Sequence, residues 1–135
     1  MAMMSGAFFS ILVNGSPSQP FNPSIGIRQG NPISPFIFVI MAEGLSHSIS
    51  VTLQDNKLSD IQPRAYAPPS TRLQFVDDTL LMGLPYIKEA SYFMSILSDF
   101  SAAYGTSINP VKSKLFFFNT MLPICKNIAR HLAIP

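Results

Sequence analysis

The sequence predicts an α+β fold in which an antiparallel sheet packs against helices on one face, and three observations support that class. Two long segments repeat apolar residues at spacings of three and four, as amphipathic helices do. Two pairs of short apolar runs are separated by turn residues, as hairpins are. The order along the chain is strand, helix, hairpin, helix, with an antiparallel hairpin in the middle.

A chain of 135 residues with 47% hydrophobic and 11% aromatic residues has enough apolar side chains for one packed domain. Charged residues are only 12%, about half the usual share, so a complete water-facing surface is hard to build and the chain reads as part of something larger. Its net charge of +2 permits a polyanionic partner without arguing for one. The single cysteine, Cys125, excludes an internal disulfide and a cysteine-based zinc site. No signal peptide is expected, because no positive flank precedes the first apolar run, and PFIFVIMA is well short of the roughly 20 residues that span a bilayer.

FFSILVNGSPSQPFNPSIG reads as a strand, an Asn14-Gly15 turn and a second strand or loop. Asn31 is positioned to cap a helix with Pro32 in its first turn. Ile33, Phe36, Ile37, Ile40, Met41, Gly44, Leu45, Ile49 and Leu53 then form one apolar face, on which Gly44 admits a close neighbour. Residues 54–71 hold three prolines and form an exposed connection with room for a short strand. LQFV and TLLM follow as strands, with Asp77 and Asp78 in the tight turn between them. Pro85 is expected to open a second helix that Gly105 ends. SKLFFFN reads as a further strand, and LPICKNIARHLAIP as a closing helix.

The chemistry is concentrated in LQFVDDTLLM. Two aspartates in a turn are most often a solvated turn. Here both flanks are almost wholly apolar, so the turn is held at the edge of a rigid sheet, and adjacent carboxylates repel unless a cation lies between them. A divalent ion that takes oxygen ligands, magnesium or manganese, would supply it. His47 and His131 have no spacing that suggests a metal pair or a triad, the serines lack a partnered base, and no Gly-rich phosphate loop is present.

Three blocks taken together resemble successive motifs of reverse transcriptases in the form used by plant LINE-type (non-LTR) retrotransposons. They are GIRQGNPISP (residues 26–35), LQFVDDTLLM (73–82) and GTSINPVKSKLFFF (105–118). The resemblance spans residues 11–135 and implies a single partial domain over residues 1–135, the palm of a right-hand-shaped polymerase, with its catalytic β-hairpin packed on helices. It implies that Asp77 binds Mg2+ or Mn2+ with support from Asp78, in two-metal nucleotidyl transfer where one ion activates the primer hydroxyl and the other neutralises the triphosphate. Phe75 and Val76 would line the floor under primer and nucleotide. Gln29 and Gly30 would lie at the nucleotide and template pocket, Arg28 would contact phosphate, and Lys112 would stand near the triphosphate. The implied partners are an RNA template, a DNA primer and dNTPs, with no membrane; the family implies nucleus or cytoplasm.

The pattern breaks in one important place. Palm polymerases use a further aspartate on a strand upstream of these blocks, yet residues 1–42 contain no Asp or Glu. Two carboxylates hold a metal pair weakly, so the chain alone is expected not to polymerise DNA. Asn31, Val76, Arg72 and Thr106 also depart from the residues common in relatives, where Asp, Ala, His and Leu respectively are usual. The basic residues are scattered, so nucleic-acid binding is expected to be weak and salt-sensitive. The alternative reading is a non-enzymatic retrotransposon remnant or a small module that binds another protein through exposed apolar surface.

Overall fold

The computed structural model describes residues 8–22, 30–62, 65–75 and 78–134. Among these residues the chain is mixed α and β, with three helices and two small antiparallel sheets. It divides into two compact units, residues 1–40 and 41–135.

In the first unit β1 (Leu12–Val13) pairs antiparallel with β2 (Ser16–Pro17). The turn works because Asn14 and Gly15 both take positive φ, 50° and 83°, as a two-residue turn matched to the strand twist requires. Phe9 and Phe21 extend the pairing by exchanging backbone hydrogen bonds of 2.9 Å, and their rings lie 6.2 Å apart. The Asn-Gly hairpin is therefore present as expected.

Helix α1 (Ser34–Gln54) runs across the boundary between the units. It starts later than a first-turn Pro32 would place it. The Asn31 side-chain oxygen accepts from the Ile33 N–H at 3.1 Å, and its carbonyl accepts from the Ser34 N–H at 3.0 Å. Asn31 thus closes a turn that precedes the helix, the local alternative that Asn side chains offer the backbone. Farther along, the hydroxyls of Ser48, Ser50 and Thr52 donate to the carbonyls of Gly44, Ser46 and Ser48 at 2.8–3.0 Å, which satisfies polar residues within the helix itself. The expectation that nothing reaches bilayer length rested on the run PFIFVIMA. The whole of α1, 21 residues, is long and apolar enough by length and composition to cross a membrane, a property that core helices of soluble proteins share.

The core of the second unit forms where α1 meets α2 (Ile87–Tyr104). Leu45 and Ile49 from α1, Leu58 from the following turn and Ile96 from α2 are buried together, flanked by partly buried Phe93 and Phe100. These are the positions that three-and-four spacing selects, and each buried side chain stabilises by about 1.5–3 kcal/mol. A Cβ placed on Gly44 would collide with the Tyr104 hydroxyl, so the close neighbour expected there is α2's last residue. Pro85 lies ahead of α2, whose N-cap is Tyr86; the helix ends where Gly105 takes φ 67° and donates its N–H to the Ser101 carbonyl at 2.9 Å.

Helix α3 (Leu122–Leu132) packs on α2 and buries Ile128, with the Ser91 hydroxyl 2.8 Å from His131 Nε2. The strand expected at SKLFFFN is absent: among the described residues no backbone hydrogen bond pairs residues 114–118 with another segment. High β-propensity makes a strand only where a neighbour completes the ladder, and no described segment does so here. Among the described residues the β-structure is likewise two two-stranded sheets rather than one larger sheet.

Candidate active site

The site is built on a hairpin of β3 (Arg72–Phe75) and β4 (Asp78–Leu81). The register pairs Arg72 with Leu81, Leu73 with Leu80, Gln74 with Thr79 and Phe75 with Asp78. Directly opposed residues share a face, so the hairpin has two distinct sides. Leu81, on the side of Arg72 and Gln74, packs against the core. Leu73, Phe75, Asp78 and Leu80 lie on the other side, and all four are exposed. Phe75 is 80% exposed and stands directly across from Asp78. A shallow recess of about 250 Å³ follows this hairpin, lined by Leu73, Phe75, Asp78 and Leu80 among others.

Asp78 is therefore the first residue of β4, not a turn residue, and its carboxylate is exposed on an apolar sheet face. The two residues between the strands, Val76 and Asp77, lie outside the described residues, as do Arg28 and Gln29. Gly30 has φ 77°, a conformation in which glycine is strongly preferred. Lys112 is exposed in a separate turn, where its N–H donates to Asn109 Oδ1 and to the Asn109 carbonyl, each at 3.2 Å. Among the expected site residues, the structure thus brings Phe75 and Asp78 together and keeps the backbone of Lys112 bonded within its own turn.

One residue that matters to this geometry was visible in the sequence only as a departure from relatives. Arg72 Nη1 donates to the Ala42 carbonyl of α1 at 3.0 Å and to Gln74 Oε1 at 2.8 Å. It ties the hairpin to the middle of the long helix. At the hairpin base, the Met82 N–H donates to the Thr71 carbonyl at 2.8 Å, and the buried Thr71 hydroxyl donates to Asp60 Oδ1 at 2.7 Å.

The donor chemistry bears on whether a divalent ion pair fits. Asp78 offers oxygen, the ligand type that magnesium and manganese take. Among the described residues, however, no group of three or more His, Cys, Asp or Glu side chains is gathered. Three other carboxylates, Glu89, Asp60 and Asp55, are committed elsewhere. Glu89, 6% exposed, accepts from the Ser59 hydroxyl at 2.7 Å and the Leu84 N–H at 3.0 Å. Asp60 accepts from Thr71, and Asp55 pairs with Lys57 at 2.7 Å, a hydrogen bond and charge that raise the lysine's pKa above its ordinary value. The described residues alone do not make the ligand set of a metal pair.

An exposed aspartate paired across a hairpin from a phenylalanine, on a mixed α and β body, agrees with what comparison of the chain with known families finds. Residues 2–129 match the model of the reverse transcriptase (RNA-dependent DNA polymerase) family, and the chain belongs to that family. It is also similar to an uncharacterized mitochondrial protein of Arabidopsis thaliana, with 28% identity over 115 residues covering 84% of this chain and 93% of that protein. No solved structure matches. Membership implies, in general, dependence on divalent metal and binding of a nucleic-acid template and dNTPs.

Proposed function

We propose that this chain is palm-region sequence of a LINE-type, non-LTR retrotransposon reverse transcriptase of the plant kind, and that by itself it does not extend a primer. The observation that supports this best is the β3–β4 hairpin, whose register places Asp78 opposite Phe75 on an open face within a chain that matches the family over residues 2–129. In this reading Asp77 and Asp78 supply oxygen ligands for Mg2+ or Mn2+, and Phe75 and Val76 form the floor on which the primer end and nucleotide rest. Gln29 and Gly30 border the nucleotide and template, Arg28 meets phosphate, and Lys112 faces the triphosphate. That residues 1–42 hold no Asp or Glu, where a palm polymerase carries its further carboxylate, supports inactivity in isolation.

Primer extension on an RNA template with Mg2+ or Mn2+ tests both parts. The expected result is no product above background from the wild-type chain. Extension abolished by Asp77→Ala would overturn inactivity while upholding the site. Extension that survives Asp77→Ala and Asp78→Ala would sink the site assignment.

A second reading, a non-enzymatic remnant or protein-interaction module, is favoured by exposed Phe36, Phe75, Phe116 and Phe118, which no described segment covers. Absence of extension together with saturable binding to another protein would support it.

A further inference from the structure

We propose that Tyr66 is a stacking platform for an unpaired base of a single-stranded nucleic acid, presented on a tied loop that runs into the candidate hairpin. The choice of partner rests on the polymerase reading above; the residue is identified by its own geometry. Tyr66 is 100% exposed. The loop that carries it is closed at its base, where Ile61 and Ser70 form an antiparallel bridge and the Ser70 N–H donates to the Ile61 carbonyl at 2.8 Å. The Gln62 side-chain amide spans the loop, donating to the Ala65 carbonyl at 3.2 Å and to the Ala67 carbonyl at 3.0 Å, one on each side of Tyr66. Pro68 and Pro69 then fix φ on the returning limb. Compact surface loops with tied ends are frequently functional. A tyrosine on such a support has only two side-chain torsions left to order, so little entropy opposes a contact with its ring.

Three features favour a base over a protein surface. The first is size. Between Gln62 and Ser70 the sequence holds no other large apolar side chain than Tyr66. One tyrosine offers about 150–250 Å², far below the roughly 800 Å² per partner of a standard protein interface, whereas one ring is what one planar base needs. The second is charge. Residues 61–76 contain Arg64 and Arg72 and no Asp or Glu, and the preceding Asp60 already accepts from the Thr71 hydroxyl at 2.7 Å, so a phosphodiester meets no concentrated negative charge on this stretch. The third is connection. The loop passes through Thr71, whose carbonyl accepts from the Met82 N–H, directly into β3, so the two exposed rings of Tyr66 and Phe75 are carried on one continuous stretch that the hairpin holds. Stacking needs no run of cations, which agrees with scattered basic residues and a shallow salt dependence.

Binding of the full chain to labelled single strands, measured by anisotropy without metal or dNTP, tests this separately from the primer-extension assay that decides the Asp77 and Asp78 assignment. Tyr66→Ala removes no packing and is expected to weaken binding by about fivefold or more, the loss of one stacked base, with the salt dependence unchanged. Tyr66→Phe keeps the ring and is expected to bind as the wild type does. A fully abasic strand of the same length is expected to bind the wild type no better than a base-bearing strand binds Tyr66→Ala. Ribose and deoxyribose strands assayed in parallel show which source of bases the ring takes. As a direct readout, Tyr66→Trp introduces the only tryptophan of a chain that has none, and its fluorescence is expected to be quenched by base-bearing strands and not by abasic ones. No measurable binding by the wild type, equal binding by Tyr66→Ala, equal binding of abasic and base-bearing strands, or a Tyr66→Ala loss confined to binding of another protein overturns the inference.

Discussion

At the scale of single residues, small side-chain choices set how closely the helices approach. Glycine inside a helix costs about 1 kcal/mol relative to alanine, yet Gly44 occupies the middle of α1. The Tyr104 hydroxyl fills the space a Cβ would need, and the Tyr104 ring is held by Phe100 at 4.8 Å between centroids. Gly44→Ala is therefore expected to destabilise, or at best leave unchanged, the wild-type chain. In a Tyr104→Phe background, with the colliding oxygen gone, the same change is expected to stabilise by about 1 kcal/mol, the propensity gain. Urea denaturation of the four variants measures this coupling, and additivity would refute it. The tolerance for a close neighbour at Gly44 was legible in the sequence; the identity of that neighbour was not, because residue 104 reaches residue 44 only once α2 has packed.

At the scale of elements, hydrogen bonds determine which expected segments materialise. The Asn-Gly hairpin, the DD-containing hairpin and the three helices follow from local chemistry. SKLFFFN does not become a strand, since its partner has to come from elsewhere. The β3–β4 hairpin is only two strands wide, and such a unit is marginal without support. Arg72 supplies support by bonding both α1 and Gln74. Arg72→Met keeps most of the apolar stem and removes the donors, so it is expected to cost about 1–2 kcal/mol and to speed amide exchange in β3 and β4 while α2 stays protected. Uniform exchange across both elements would show that Arg72 contributes only to global stability.

At the scale of the whole molecule, composition and charge limit what the chain does alone. Its nine Lys and Arg residues nearly balance seven Asp and Glu, and no continuous basic stripe is present in the sequence. RNA binding measured by fluorescence anisotropy is therefore expected to be weak. Two phosphate contacts would lower the affinity only about sevenfold between roughly 50 and 200 mM salt. A loss of a hundredfold or more over that range would reveal a concentrated cationic track and contradict the scattered arrangement.

The sequence by itself determined the family, through three motif blocks in order, and the existence of each helix and of both hairpins, through periodicity and turn residues. These are local properties: a spacing of three and four, an Asn-Gly pair and a terminating glycine act within a few residues of themselves. Only the tertiary structure decided that Asp78 opens a strand across from Phe75, that Glu89 and Asp60 are spent on Ser59, Leu84 and Thr71, and that residues 114–118 find no ladder partner among the described residues. Each depends on which distant segments meet, and hydrogen-bond satisfaction, which settles those meetings, is a property of the folded whole.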